Sequence, residues 1–258
     1  VLPRYPVLNT WISTGTPTAM VDTILKLGAA RTSSYVCFAN VHMVVEAYRQ
    51  PSFSAIVNRA AVVAPDGSPV AAAVRWFGGP RQPRVAGMDT LPMLLAEAAR
   101  RGQSVYFYGT TDKVLQAIED RIRQDLPALR IAGMYSPPFR PLTPAEDEAD
   151  VARINEANPD LVFVALGCPR QEQWMAQHQG RVKACMLGVG QAFLTYAGLE
   201  RRLPEWARKL WLEWAYRLYL EPRRLWRRYL VTNSRFVWLV SKKAVQHLSG
   251  RPAEPAPW

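Results

Sequence analysis

From Gln103 onward, apolar runs of strand length alternate with stretches whose apolar residues recur at helical spacing. Ser104–Tyr108, Leu129–Met134, Leu161–Ala165 and Ala184–Gly188 read as strands. About Lys113–Asp125, Pro144–Ala157 and Pro169–Gln179 read as helices between them. Runs such as Val-Tyr-Phe-Tyr and Leu-Val-Phe-Val-Ala are apolar at every position, as strands of a parallel sheet covered on both faces must be. The first hundred residues continue the theme, with strands near Tyr35–Ala39 and Ala61–Ala64 and helices near Val41–Arg49, Pro69–Phe77 and Leu91–Arg101. Residues 1–198 are therefore expected to form one α/β domain, a Rossmann-like parallel sheet flanked by helices.

After Leu199 the pattern changes. Six of the nine Trp residues lie in 199–258, interleaved with Arg. Trp206, Leu210, Trp214 and Leu218 fall four apart on one helical face, Pro222 breaks that helix, and a second helix is expected over about Arg223–Val240. Residues 199–248 thus read as a basic, Trp/Arg-rich helical appendage, and 249–258, with three prolines, as a disordered tail. The net charge of +11 is concentrated here, since 199–258 holds 13 basic and 5 acidic side chains. One segment faces an anion: nucleic acid, membrane phosphate or a phosphorylated substrate.

A chain of 258 residues that is 49% hydrophobic buries a substantial core. Its three cysteines, Cys37, Cys168 and Cys185, have no C-x-x-C spacing, so neither a disulfide framework nor a cysteine zinc site is expected, and a reducing cytoplasm fits. Its longest uncharged runs, Tyr5–Val21 and Ala184–Leu199, are interrupted by Pro, Gly or Thr, and no membrane span or secretory signal is expected.

In an open parallel sheet, ligands bind beyond the carboxyl ends of the strands. The loops there begin Asn40-Val41-His42, Pro65-Asp66-Gly67, Gly109-Thr110-Thr111, Tyr135-Ser136-Pro137, Gly167-Cys168-Pro169-Arg170-Gln171-Glu172 and Gly188-Val189-Gly190-Gln191. Each Gly loop alone could be an ordinary tight turn, whereas several at one sheet edge suggest a nucleotide pocket. Asp66 follows an apolar strand and could face a ligand or cap the next helix, and Asp89 has the same two readings. His42 reads as a capping or core residue, and His178 and His247 have no evident partner. The run Glu146-Asp147-Glu148 with Asp150 reads as a solvated helix face. No D-x-D occurs, so no dedicated divalent-metal motif is expected, and arginines would have to neutralise a departing diphosphate.

Taken in order, Asn40, Pro65-Asp66-Gly67, Arg84-Val85-Ala86-Gly87-Met88-Asp89, Gly167-Cys168-Pro169-Arg170-Gln171-Glu172-Gln173-Trp174, Gly188-Val189-Gly190 and Arg202-Leu203-Pro204-Glu205-Trp206 form a pattern, continued by Arg217, Arg224 and Arg227-Arg228-Tyr229-Leu230. Over about Tyr35–Phe236 the chain resembles the WecG/TagA/CpsF family of bacterial glycosyltransferases, glycosyltransferase family 26. The resemblance implies a metal-independent, inverting transferase without a cofactor. Such an enzyme moves a sugar from a UDP-sugar to a polyprenyl-diphosphate-linked saccharide in surface or exopolysaccharide synthesis, peripherally at the cytoplasmic face of the inner membrane. Asn40, Asp66 and Arg84 form the candidate catalytic set, with Asp66 matching the family's proposed general base. Gly109, Thr110, Gln171, Gly188, Gly190, Gln191, Arg217, Arg224 and Arg227 form the candidate substrate-binding set, and the appendage would close over the site at an anionic membrane surface. Phe38 stands where some members have Thr, so the donor stays open between a UDP-hexose such as UDP-glucose and the UDP-N-acetylmannosamine type.

Two readings from other classes compete. An Arg/Trp segment also describes a single-strand nucleic-acid binder, but the single face of Trp206, Leu210, Trp214 and Leu218 argues for a core or bilayer and against nucleic acid. Gly188-Val189-Gly190 resembles the start of an NAD fingerprint, yet Phe193 stands where the third glycine belongs. The sequence leaves the oligomeric state open, a homo-oligomer included.

Overall fold

The computed structural model describes residues 2–200, 216, 218–219 and 231–243. The chain opens with β1 (Arg4–Val7), β2 (Thr10–Ser13), α1 (Pro17–Ala29), β3 (Ser34–Ala39), α2 (Val41–Arg49), α3 (Pro51–Arg59), β4 (Val62–Pro65) and α4 (Ser68–Trp76). It continues with α5 (Gly87–Arg101), β5 (Ser104–Gly109), α6 (Asp112–Asp125), β6 (Arg130–Tyr135), α7 (Pro144–Ala157), β7 (Leu161–Ala165), α8 (Arg170–His178), β8 (Cys185–Gly188) and α9 (Ala192–Tyr196). Strands β3 to β8 form one parallel, Rossmann-like sheet in the order β4-β3-β8-β7-β5-β6.

Alternation along each strand feeds two apolar layers. Tyr35 and Cys37 of β3, Tyr106 and Tyr108 of β5, Val162 and Val164 of β7 and Met186 of β8 pack with Met43, Val57, Val151 and Met175 on one face. Val36, Phe38, Val105, Phe107, Leu161, Phe163 and Leu187 pack with Met20, Leu94, Ile118 and Phe193 on the other. Helices on both faces leave no solvated side, which is why these strands are apolar at every position.

Five elements are absent from the sequence reading. Helix α1 carries readable signals, since Thr16 accepts from the Ala19 N–H as an N-cap, Pro17 opens the helix, and Met20, Val21, Ile24, Leu25 and Gly28 form its buried stripe. The β1–β2 hairpin is harder to see: its strands have four residues each, and its turn places Leu8 at φ +57°, a conformation normally signalled by Asn or Gly. The hairpin lies along the open edge of β4, where Ser13 Oγ accepts from the Val63 N–H at 3.0 Å and the Arg4 guanidinium donates to the carbonyls of Asn58, Ala60 and Ala61. Helix α9, of five residues, is too short for a periodic signal, and α3 follows α2 after the single residue Gln50, with no loop signal to set it apart. Helix α5 begins four residues before the expected Leu91 and carries Pro92 in its interior.

The acidic run on α7 is a solvated face only in part, with Glu148 exposed and Asp150 buried. Glu146 closes a capping box with Thr143 and pairs with Arg140, Asp147 and Glu148 hold Arg181, and Asp150 is buried, accepting from Tyr108 and Arg153. His178 is buried too, between the Trp174 carbonyl at 2.7 Å and Asp147 at 2.9 Å, with its ring stacked on Trp174.

Residues 231–243 are helical, within and just beyond the expected second appendage helix. Phe236, Leu239 and Val240 are buried in the layer formed by α2, α3, α7 and α8, while Val231, Arg235, Val237, Trp238 and Lys242 face out. The expected first appendage helix, with Trp206, Leu210 and Trp214, and the tail 249–258 lie outside the described residues.

Strand β5 leads outward to β6 while β7 leads back to β8, so the loops following β5 and β7 diverge. A crevice opens at such a reversal, at the carboxyl edge of the sheet.

Candidate active site

Parallel register brings Asn40 and Asp66 together. Ala39 pairs with Pro65, so the next residue of each chain segment emerges at the same corner, and the Asp66 N–H donates to the Ala39 carbonyl at 3.0 Å. The Val85 N–H then donates to the Pro65 carbonyl at 2.9 Å, which draws Arg84 alongside. All three candidate catalytic residues thus meet at one corner of the carboxyl edge. The capping alternative for Asp66 does not hold, because the N-cap of α4 is Gly67, at φ +119°. Asp89 is no cap either: it sits in the first turn of α5, 3.4 Å from the mostly buried Arg84 guanidinium. Asn40 does cap α2, its Oδ1 accepting from the Met43 N–H at 3.1 Å, so its amide NH2 is the end left for other partners. Phe38 is buried beneath this corner, with the start of α5 at Gly87 lying over its ring.

The loop after β5 lies in the crevice. Gly109, at φ +110°, has no room for a side chain, since a Cβ would stand 2.6 Å from the Ala165 carbonyl. Thr110 adopts φ +59°, an uncommon conformation for a β-branched residue, and its N–H donates to the same carbonyl at 3.1 Å. Its own carbonyl accepts from Ser136 Oγ at 2.7 Å. Of the helices that begin beyond this edge, α4, α5, α6 and α8 have no side-chain cap, as α3 and α9 have none, whereas α2 and α7 do. Backbone N–H groups left without a cap, together with the helix dipole, make an anion-seeking rim.

Gln171, expected in the substrate-binding set, makes three hydrogen bonds within the protein. It is buried, its Oε1 accepts from the Gly167 N–H at 3.2 Å, and its Nε2 donates to the Gly188 carbonyl at 3.0 Å and to Glu172 Oε1 at 2.7 Å. Its amide is spent on tying the loop after β7 to the end of β8. A Cβ on Gly188 or Gly190 would stand 3.0 Å and 3.3 Å from that amide, so glycine at both positions makes room for Gln171. The spacing of Gln171, Trp174, Met175 and His178 already places Gln171 on the buried face of α8. Gln191 donates to both carboxylate oxygens of Glu200, at 3.0 and 2.9 Å, and so anchors the start of the C-terminal segment beside the Gly188–Gly190 turn.

Glu172 was not among the expected site residues. It is fully buried, and burial pushes its carboxyl up to about 7, against the pull of hydrogen bonds from Gln171 and Cys168. Beside it, burial and the neighbouring Glu172 and Cys168 hold the Cys37 thiol well above the usual range. Arg217, Arg224 and Arg227 lie outside the described residues. A hollow of about 500 Å³ between α6 and β6, lined by Ile122, Leu126, Ile131 and Met134, is at the opposite edge of the sheet and holds none of the candidate residues.

The profile of the glycosyl transferase WecG/TagA/CpsF family matches residues 5–250. Three relatives share one name, N-acetylglucosaminyldiphosphoundecaprenol N-acetyl-beta-D-mannosaminyltransferase. That of Bacillus spizizenii is 34% identical over 199 residues, covering 76% of this chain and 75% of the relative. That of Bacillus subtilis is 32% identical, covering 80% and 76%, and that of Staphylococcus aureus 29%, covering 81% of each.

Proposed function

The chain belongs to the WecG/TagA/CpsF family of glycosyl transferases, and from that premise we propose that it moves a sugar from a UDP-sugar onto a saccharide linked to a polyprenyl diphosphate, with inversion at the anomeric carbon. The observation that carries this reading is the corner where Asn40, Asp66 and Arg84 meet, at the N-termini of α4 and α5, which have no side-chain caps. A carboxylate beside an anion-seeking rim suits a reaction that takes a proton from an acceptor hydroxyl while a diphosphate departs. Asp66 accepts that proton as the hydroxyl oxygen attacks the anomeric carbon from the side opposite UDP. The rim and arginines, Arg84 first, meet the charge growing on the β-phosphate.

The relatives' shared name favours N-acetylmannosamine as the transferred sugar, with UDP-hexoses as the runners-up, because Phe38 lies beneath the corner. A panel of UDP-sugars assayed for UDP release with an N-acetylglucosaminyl-diphosphate-polyprenol acceptor tests the reading. Release from none of them would sink it.

Catalysis without a metal is part of the proposal. The chain has no D-x-D, and the described residues contain no group of His, Cys, Asp and Glu suited to hold an ion. Activity is expected to survive excess EDTA unchanged. Loss on chelation, restored by Mg²⁺ or Mn²⁺, would contradict this.

A peripheral seat on the inner face of the cytoplasmic membrane completes the proposal. No described helix is long and apolar enough to cross a membrane. The outward face of 231–243 carries exposed Trp238 with the Lys242 ammonium 5.3 Å from its ring centre, next to Arg235 and Val237. Aromatic and basic residues on one face suit the headgroup layer, where each basic side chain is worth about 1 kcal/mol. Arg224→Ala is expected to cut transfer about tenfold or more and leave binding to anionic vesicles nearly unchanged, since one charge is a small part of the surface attraction. Equal loss of both would assign Arg224 to the membrane alone.

A further inference from the structure

Glu172 is a buried acid at the first turn of α8, with no solvent exposure. Its Oε1 accepts from Gln171 Nε2 at 2.7 Å, and its Oε2, equally buried, has no hydrogen-bond partner. The titratable groups facing it are the thiols of Cys168, from the loop after β7, and Cys37, from β3. The same Gln171 nitrogen holds the Gly188 carbonyl, and the other end of that amide holds the Gly167 N–H. One carboxyl therefore orients the amide that joins two loops at the carboxyl edge.

We propose that Glu172 is a positioning residue that acts through Gln171, bracing the loop Gly167–Gln171 against the turn Gly188–Gly190 and so holding backbone groups at the place where the donor diphosphate rests. The ligand part of this inference rests on the donor assignment above.

Protonation enters through Oε2. A neutral carboxyl tolerates the lack of a partner there, whereas an ionised one would bury charge with little more than Gln171 and the Cys168 thiol to donate to it, so the closed brace belongs to the protonated form. The sign follows: the fold keeps the proton up to about 7 and the unfolded chain releases it near the ordinary 4.5, so raising the pH across that interval withdraws stability from the braced state.

Two measurements test the proposal. Hydrogen exchange of the peptide 186–192 in the unliganded protein reports the brace, and UDP titration reports its effect on the ligand. Glu172→Ala is expected to speed exchange selectively in that peptide and to weaken UDP binding about tenfold, the typical consequence of leaving a buried amide without its partner. Glu172→Gln, whose amide oxygen accepts from Gln171, should restore most of both. In wild type, exchange corrected for intrinsic rate should rise as pH goes from about 4.5 to about 7 and level off above it, and in Glu172→Gln it should not. Unchanged exchange at 186–192 in Glu172→Ala, a uniform rise over the whole chain, or the same pH dependence in wild type and Glu172→Gln would overturn the brace; the last comparison stands even if Glu172→Ala does not fold. A wild-type protein that binds no UDP would instead overturn the donor assignment, and the exchange data would still decide the role of Glu172.

Discussion

Asp66→Asn is expected to lower turnover by ~10²–10⁴, the span that general-base catalysis supplies, and to leave UDP affinity within about threefold. The change is nearly isosteric and removes the carboxylate's charge together with its ability to accept a proton. Its neighbours make the outcome specific. Asn40 has committed its carbamoyl oxygen to the α2 cap and has no basic group, and Asp89 is already paired with the Arg84 guanidinium at 3.4 Å. Single-turnover transfer by purified enzyme, beside a circular-dichroism check of folding, measures the effect. Retained turnover in the folded variant would move the base to Asp89.

Phe236→Ala is expected to cost about 3–5 kcal/mol of stability, the range for emptying a buried aromatic site, although it lies in the segment that composition set apart as an appendage. In a chain of this size the melting midpoint should fall on the order of 10 °C. Trp238→Ala, two residues on and exposed, is the matched control: its stability should stay within about 0.5 kcal/mol, and its loss should appear in vesicle binding instead. Equal thermal melts for the two variants would show that 231–243 does not contribute to the core in solution. If the expectation holds, a chain truncated after Leu199 loses part of its packing as well as its basic surface.

What was legible from the residues alone follows from burial. Strands β3, β4, β5, β7 and β8 are covered on both faces and therefore read as unbroken apolar runs, and at or just beyond their carboxyl ends lie Asn40, Asp66, Gly109, Gly167 and Gly188. The hairpin was not legible, because four-residue strands and a Leu in the left-handed turn carry no periodic or turn signature. Polar residues that enter the core were misplaced for a related reason. Asp150 and His178 look like surface residues until Tyr108, Arg153, Trp174 and Asp147 supply their partners from distant sequence positions. Glu172 was hidden in the same way, since only the tertiary structure shows that Gln171 is its sole side-chain amide partner and that both are enclosed.

The β1–β2 hairpin also sets a limit on assembly. It occupies the outer side of β4, with Ser13 taking the Val63 N–H, whereas β6 at the opposite end of the sheet has no further strand beside it among the described residues. A sheet sealed at one end can be extended only at the other. Two copies joining β6 to β6 would bury both open ends in a closed, two-fold pair with a sealed hairpin at each extremity, so edge-to-edge association terminates at a dimer and cannot propagate into a filament.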